Sequence, residues 1–280
     1  MSKLPLHIQK AIRTYQPIET EGLTFWPILA REYHEFLTAK PALEVMQQAL
    51  PVRWLSMPLL SAFYGMDFEA FQKGEPRVGL LSRCLLFLAL SLRLGESGDE
   101  IASRIKHFTL IADSNDPSQL KALRFIDSEG EEKEITPLMF HRLRPILAAQ
   151  NGIELVSEDA NPDLVEAEQD LAEMNGPKLD VSLDSLFSTI AAMAGVDEAE
   201  IDNWPILKLS RRQKAYSRVL NYVICGIGEA QGTKWKGGNP YPSPFYDKVR
   251  GDSSGVMRLE DFAGGAGVRA VQNAGVQTPL

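Results

Sequence analysis

The sequence predicts a mainly α-helical fold: a helical bundle with a small antiparallel β insertion and an extended, partly disordered C-terminal tail. Three observations carry that expectation. Apolar residues recur at helical spacing through most of the first half and again after position 182. The period changes between about 106 and 136, where short apolar runs alternate with turn-forming residues. Beyond Gly232 the chain turns to proline, glycine and serine, which do not build helices. The implied organisation is a helical bundle over 1–153, an acidic linker over 154–181, a helical segment with an aromatic, proline-spaced extension over 182–250, and a flexible tail over 251–280.

Taken in order, residues 1 to 24 read as a short helix and a connector. Gly22-Leu23-Thr24 then leads into FWPILAREYHEFLTAK, where Pro27 suits a first helical turn, and Pro41 opens a second helix that Pro51 ends. Residues 55 to 72 form a third helix, with Leu59, Leu60, Phe63, Tyr64 and Phe68 as its apolar side and Gly74 and Pro76 as its break. Val78 to Leu94 is apolar almost all round, which places it at the centre of the bundle. Strands are expected at 106–113, 120–127 and 131–137, and helices at Pro137–Gln150 and Ser182–Ala194. Residues 154 to 177 lack a dense apolar face and read as a solvated linker helix or a disordered segment.

The most informative stretch is Trp204 to Tyr246. Ser210 and Gln213 have capping-box spacing, so a helix is expected to start there. Tyr216, Val219, Leu220, Val223, Ile224 and Ile227 build one apolar face of it, with Arg211, Lys214, Arg218, Asn221, Cys225 and Glu229 on the other side. Gly232 is the expected stop. Pro240, Pro242 and Pro244 then favour extended, polyproline-like backbone. Trp235, Tyr241, Phe245 and Tyr246 lie in that segment and must dock on the chain's own helices or on a partner.

Composition narrows the function classes. A net charge of -8 argues against general nucleic-acid binding. The charge is uneven: from Glu154 to Asp202 fourteen acids face the single base Lys178, a balance of -13. From Leu207 onward eleven bases face five acids, a balance of +6. Two isolated cysteines, Cys84 and Cys225, make no disulfide framework and suit a reducing, cytoplasmic compartment. The first fifteen residues lack the apolar run of a signal peptide, and Arg83 and Arg93 interrupt the most hydrophobic segment, so a core helix is expected rather than a membrane span.

No catalytic, cofactor or metal residues are expected. His7, His34, His107 and His141 are scattered, and none stands at ligand spacing from another His or Cys. Gly264-Gly265-Ala266-Gly267 lacks the lysine-hydroxyl ending and the preceding strand of a phosphate loop. The acidic pairs Glu158-Asp159 and Asp197-Glu198 have no apolar pocket to raise a carboxyl pKa. Lys208, Arg211, Arg212, Lys214 and Arg218 form the best phosphate-binding candidate, but positive charge is ordinary on the polar side of an amphipathic helix.

The segments GLTFWPILAREYHEFLTAK, WPILKLSRRQ and GGNPYPSPFYDK, in that order around a helical region with a strand insertion, resemble bacteriophage and prophage tail assembly chaperones. The similarity spans about Gly22 to Lys248 without an invariant chemical signature. It implies a non-enzymatic protein of the host cytoplasm that holds the tail tape-measure protein, or other tail proteins, while the tube assembles. Self-association is compatible with it; nucleic-acid and membrane partners are not expected. Its partner-binding residues would be Trp235, Tyr241, Phe245 and Tyr246. Some such chaperones are made in two lengths by frameshifting, and the Gly-rich end from Gly251 to Leu280 departs from the compact short form. The alternatives are a structural neck or tail component and a nucleic-acid-binding regulator of the same mobile element.

Overall fold

The computed structural model describes residues 4–95, 101–127, 129–156, 182–234, 239–241 and 243–245, with positions 160, 161, 164, 165 and 167. It is mainly α-helical with two small antiparallel sheets. Its contacts divide it into two units, Met1–Gln213 and Lys214–Leu280. The division falls inside the last helix rather than in the acidic stretch.

The first unit opens with α1 (Leu6–Thr14), whose Ile8 and Ile12 pack with Ile146 and Leu207. The expected connector after it is instead a hairpin, β1 (Ile18–Thr20) with β2 (Leu23–Phe25). Its two-residue turn uses Glu21 and Gly22, both at positive φ, the conformation that matches the twist of paired strands. Arg142 clamps the unusual turn residue by donating from Nε to Glu21 Oε1 at 2.7 Å.

Pro27 does not start a helix. It sits in extended backbone before a 3-10 turn (Ala30–Glu32), and α2 runs from Tyr33 to Ala39. The reason is a pairing between distant segments. Ile206 N donates to Ile28 O at 2.9 Å and Ala30 N donates to Trp204 O at 2.7 Å, around an antiparallel bridge of Leu29 with Pro205. Trp-Pro-Ile-Leu occurs at both 26–29 and 204–207, so the chain joins two copies of one tetrapeptide.

Pro41 does open α3, but α3 ends at Glu44 rather than running to Pro51. Arg144 explains the early stop. Its buried guanidinium donates to the Leu43 and Val45 carbonyls at 2.9 and 2.7 Å, satisfying acceptors that a longer helix would have used. Helix α4 (Leu59–Lys73) begins after Pro58 and ends at Gly74 in the left-handed conformation. Helix α5 (Leu80–Leu92) is the centre of the unit, as its all-round apolar pattern predicts. It is buried at ten consecutive or near-consecutive positions from Leu81 to Leu92 and packs against α2, α3, α4 and β2.

After the short α6 (Ile101–Ile105), the predicted strand insertion is present as β3 (Thr109–Ala112), β4 (Leu120–Ile126) and β5 (Glu132–Ile135), antiparallel in chain order. Leu123 is paired with both Leu110 and Ile135, and Phe125 meets Phe108 at 5.6 Å between ring centroids, so one face of the sheet joins the core. Helix α7 (Pro137–Gln150) is capped by Thr136, whose hydroxyl accepts from Met139 N at 3.2 Å. Helix α8 (Leu183–Ala194), capped by Ser182, sets Phe187 edge-on to Tyr33, and the short α9 (Glu198–Ile201) follows.

The last helix, α10 (Ile206–Ala230), begins four residues before the expected cap. Lys208 N and Leu209 N already bond to Pro205 O, so Ser210 and Gln213 lie inside the helix and not at its start. Gly232 adopts positive φ just beyond it, as a terminator should. Expectations for the acidic linker fall mostly outside the described residues, and those for the tail from 251 to 280 fall entirely outside them.

Candidate functional site

Among the described residues, the candidate site is the second half of α10, in the second unit. Helical geometry at about 100° per residue gathers Tyr216, Val219, Leu220, Val223, Ile224 and Ile227 into an arc of roughly 140°. That much the sequence predicts. The structure adds that this face is bare: Val219, Leu220, Val223, Ile224 and Ile227 are all exposed, Ile224 at 63%. Tyr216 is half-buried. The burial lies on the opposite side, where Cys225 is 6% exposed and Arg218 and Asn221 are partly covered. The apolar side of the helix thus faces out, while on the expected polar side Cys225 is buried and Arg211, Lys214 and Glu229 are exposed. An exposed run of large aliphatic residues of this kind marks an interaction surface more often than an accident of folding.

The aromatic candidates are described in part. Trp235 and Tyr246 lie outside the described residues. Tyr241 is half-buried, and Phe245 is 90% exposed. The segment is less uniformly extended than its prolines suggest. Asn239 Oδ1 accepts from Tyr241 N at 2.8 Å and Ser243 Oγ accepts from Phe245 N at 3.2 Å, two side-chain turns that redirect the backbone at each aromatic residue.

Two members of the basic cluster are engaged with aromatic rings. Lys208 Nζ stands 3.7 Å from the centre of the Trp204 ring, and burial there holds its pKa below the usual lysine range. The Arg211 guanidinium lies 5.4 Å from the Tyr15 ring centre. These two side chains are spent on packing, which weakens the cluster as a continuous phosphate-binding stripe.

A concavity of about 150 Å³ lies in the first unit between α4, α5 and β3. Tyr64, Phe68, Phe71, Leu81 and Leu110 line it, with Asp67 and Arg77 at its polar side. Asp67 is buried, and desolvation raises its carboxyl pKa although Gly79 N donates to it at 3.3 Å. The carboxylate is committed to the turn that starts α5.

Reactive groups are not assembled at either place. Burial pushes the Cys84 thiol far up, away from a nucleophilic thiolate. All four histidines are exposed. Spacing rules for His and Cys overlook one acidic group, Asp127, Glu129 and Glu131, whose ligand atoms lie within 4.8 Å of one another. Asp127 Oδ1 already accepts from the Glu129 and Glu131 amides, and Lys133 Nζ bonds Glu131 at 2.5 Å, so the group is a charged hairpin turn. No helix among the described residues is long and apolar enough to cross a membrane.

Comparison with protein-family models, curated proteins and solved structures finds no match to the chain.

Proposed function

We propose that this protein is a non-enzymatic holding protein that binds an apolar helical segment of another protein through α10. The observation that carries the reading is the bare face of Val219, Leu220, Val223, Ile224 and Ile227. An amphipathic client helix reads such a stripe at i, i+3, i+4 and i+7 and gains by removing both faces from water. The client is the tail tape-measure protein, the partner that the resemblance to phage tail assembly chaperones implies. Phe245 and its aromatic neighbours in the proline-spaced segment add anchors to the same task. The work is done in the host cytoplasm, before the client enters the tail tube.

Co-expression of the tape-measure protein with this chain, followed by affinity capture, tests the reading. The wild-type chain should retain the client, and Val223→Ser with Ile227→Ser should release it while the circular dichroism spectrum stays unchanged. Absence of capture by the wild-type chain, or capture indifferent to the double change, would overturn the proposal.

A further inference from the structure

We infer that, in the absence of any other protein, the bare face of α10 is covered by the same face of a second copy, the two helices running antiparallel. The inference needs this chain alone and stands apart from the identity of a client.

The first argument is the placement of the apolar residues. Tyr216, Val219, Leu220, Val223, Ile224 and Ile227 are distributed symmetrically about the midpoint between Asn221 and Tyr222. An antiparallel pair centred there sets Tyr216 level with the partner's Ile227, Val219 with the partner's Ile224, and Leu220 with the partner's Val223. A two-fold interface has to be self-complementary, and this stripe meets that condition without a register shift.

The second argument is charge. Lys208, Arg211, Arg212, Lys214 and Arg218 all lie in the first half of the helix. From Val219 to Thr233 there is no base, and Glu229 is the single acid. Of the bases, Arg212 falls within the arc of the stripe, and a parallel pair would set two copies of it level with each other. An antiparallel pair sets each Arg212 beside the partner's electronegative helix end, while Arg211, Lys214, Arg218 and Glu229 lie on the far side of the helix from the stripe. Charge thus selects the orientation that the apolar placement allows.

The third argument is access. Ala215 and Gly226 flank the stripe on one side, Ser217 and Gly228 on the other. A side-chain carbon added at Gly226 would meet nothing within 4 Å. Small flanks let two helix axes approach closely enough for the central aliphatic residues to interdigitate.

The test uses the full chain. Sedimentation equilibrium at about 100 µM, where even micromolar contacts are filled, should give twice the chain mass. Leu220→Asp with Ile224→Asp should return it to the mass of one chain with unchanged helicity, since both positions are exposed. Orientation is read by oxidative cross-linking of two tagged variants, Tyr216→Cys and Ile227→Cys, with wild type as the control for Cys225. The antiparallel pair predicts mixed cross-links between the variants and few within either, because like positions stand about 16 Å apart at 1.5 Å per residue. A single-chain mass for the wild type, a dimer that survives the aspartate pair, or cross-links of each variant with itself would each overturn the inference.

Discussion

Ile206 donates its backbone N–H to the carbonyl of Ile28 at 2.9 Å, and both residues belong to Trp-Pro-Ile-Leu sequences nearly two hundred positions apart. The pairing closes the first unit. It holds the start of α10 against the extended segment that leaves the β1–β2 hairpin. Each proline removes a donor from its own strand, so Pro205 and Pro27 leave only selected amides to be matched. Those of Ile28, Ala30 and Ile206 all are.

Asn151 completes that junction and supplies the first prediction. Its Oδ1 accepts from Ile28 N at 2.9 Å and its Nδ2 donates to Leu147 O at 2.9 Å. Asn151→Ala would leave the buried Ile28 amide without an acceptor, at a cost of about 1 to 3 kcal/mol. Denaturant melts should show that loss, and hydrogen exchange should show faster opening at Ile28 than at Leu123 in the sheet. Equal protection at Ile28 in both proteins would remove Asn151 from the junction.

Gly65 gives a case in which two effects oppose each other. It lies inside α4, where alanine is ordinarily worth about 1 kcal/mol over glycine. A side-chain carbon there, however, would come within 2.5 Å of the Trp54 ring. Overpacking of a fixed ring costs about 1 to 3 kcal/mol, so Gly65→Ala should destabilise in spite of its propensity. In a Trp54→Phe background the shorter ring frees that space, and the same change should become neutral or stabilising. A double-mutant cycle on thermal unfolding decides it.

Leu85 tests the centre of the core. It is 4% exposed on α5, and Leu85→Ala should cost about 2 to 5 kcal/mol in urea unfolding. Arg83, two residues earlier and exposed, should tolerate alanine within about 0.5 kcal/mol. A similar small effect at both positions would take α5 out of the core.

These elements differ in how plainly the sequence shows them. Helix α5 is legible because apolar side chains surround it, and a helix apolar all round must be buried. Strands β3 to β5 are legible because the period changes there. The β1–β2 hairpin is not, since its turn uses Glu21 where asparagine or aspartate would have announced it, and Arg142 supplies the compensation from far along the chain. The start of α10 is hidden for a related reason: Ser210 and Gln213 have the spacing of a cap, but Pro205 already supplies the first carbonyl acceptor. The tetrapeptide repeated at 26–29 and 204–207 was the available signal for that junction. As for the candidate site, periodicity identifies which residues of α10 share a face. It does not say whether that face meets the core or water, because the answer depends on what else packs beside Cys225.

Asp67 provides the pH prediction. Desolvation raises its pKa more than the backbone donors at Gly79 and Val78 and the charge of Arg77 lower it. A carboxyl whose folded pKa lies above its unfolded value binds its proton more tightly in the folded state. Its ionised form therefore opposes folding, and the penalty is complete above the folded pKa. As pH falls through that pKa towards the unfolded value near 4, the penalty disappears. Asp67→Asn keeps an oxygen to accept from Gly79 N and removes the charge. It should be more stable than wild type at neutral pH, and the difference should shrink as pH falls through the carboxylate range. Chemical denaturation of both proteins between about pH 7 and pH 4 measures this. A variant less stable than wild type at neutral pH, with the gap closing only in acid, would instead show that the charge of Asp67 stabilises the turn before α5 through Arg77 and the two amides.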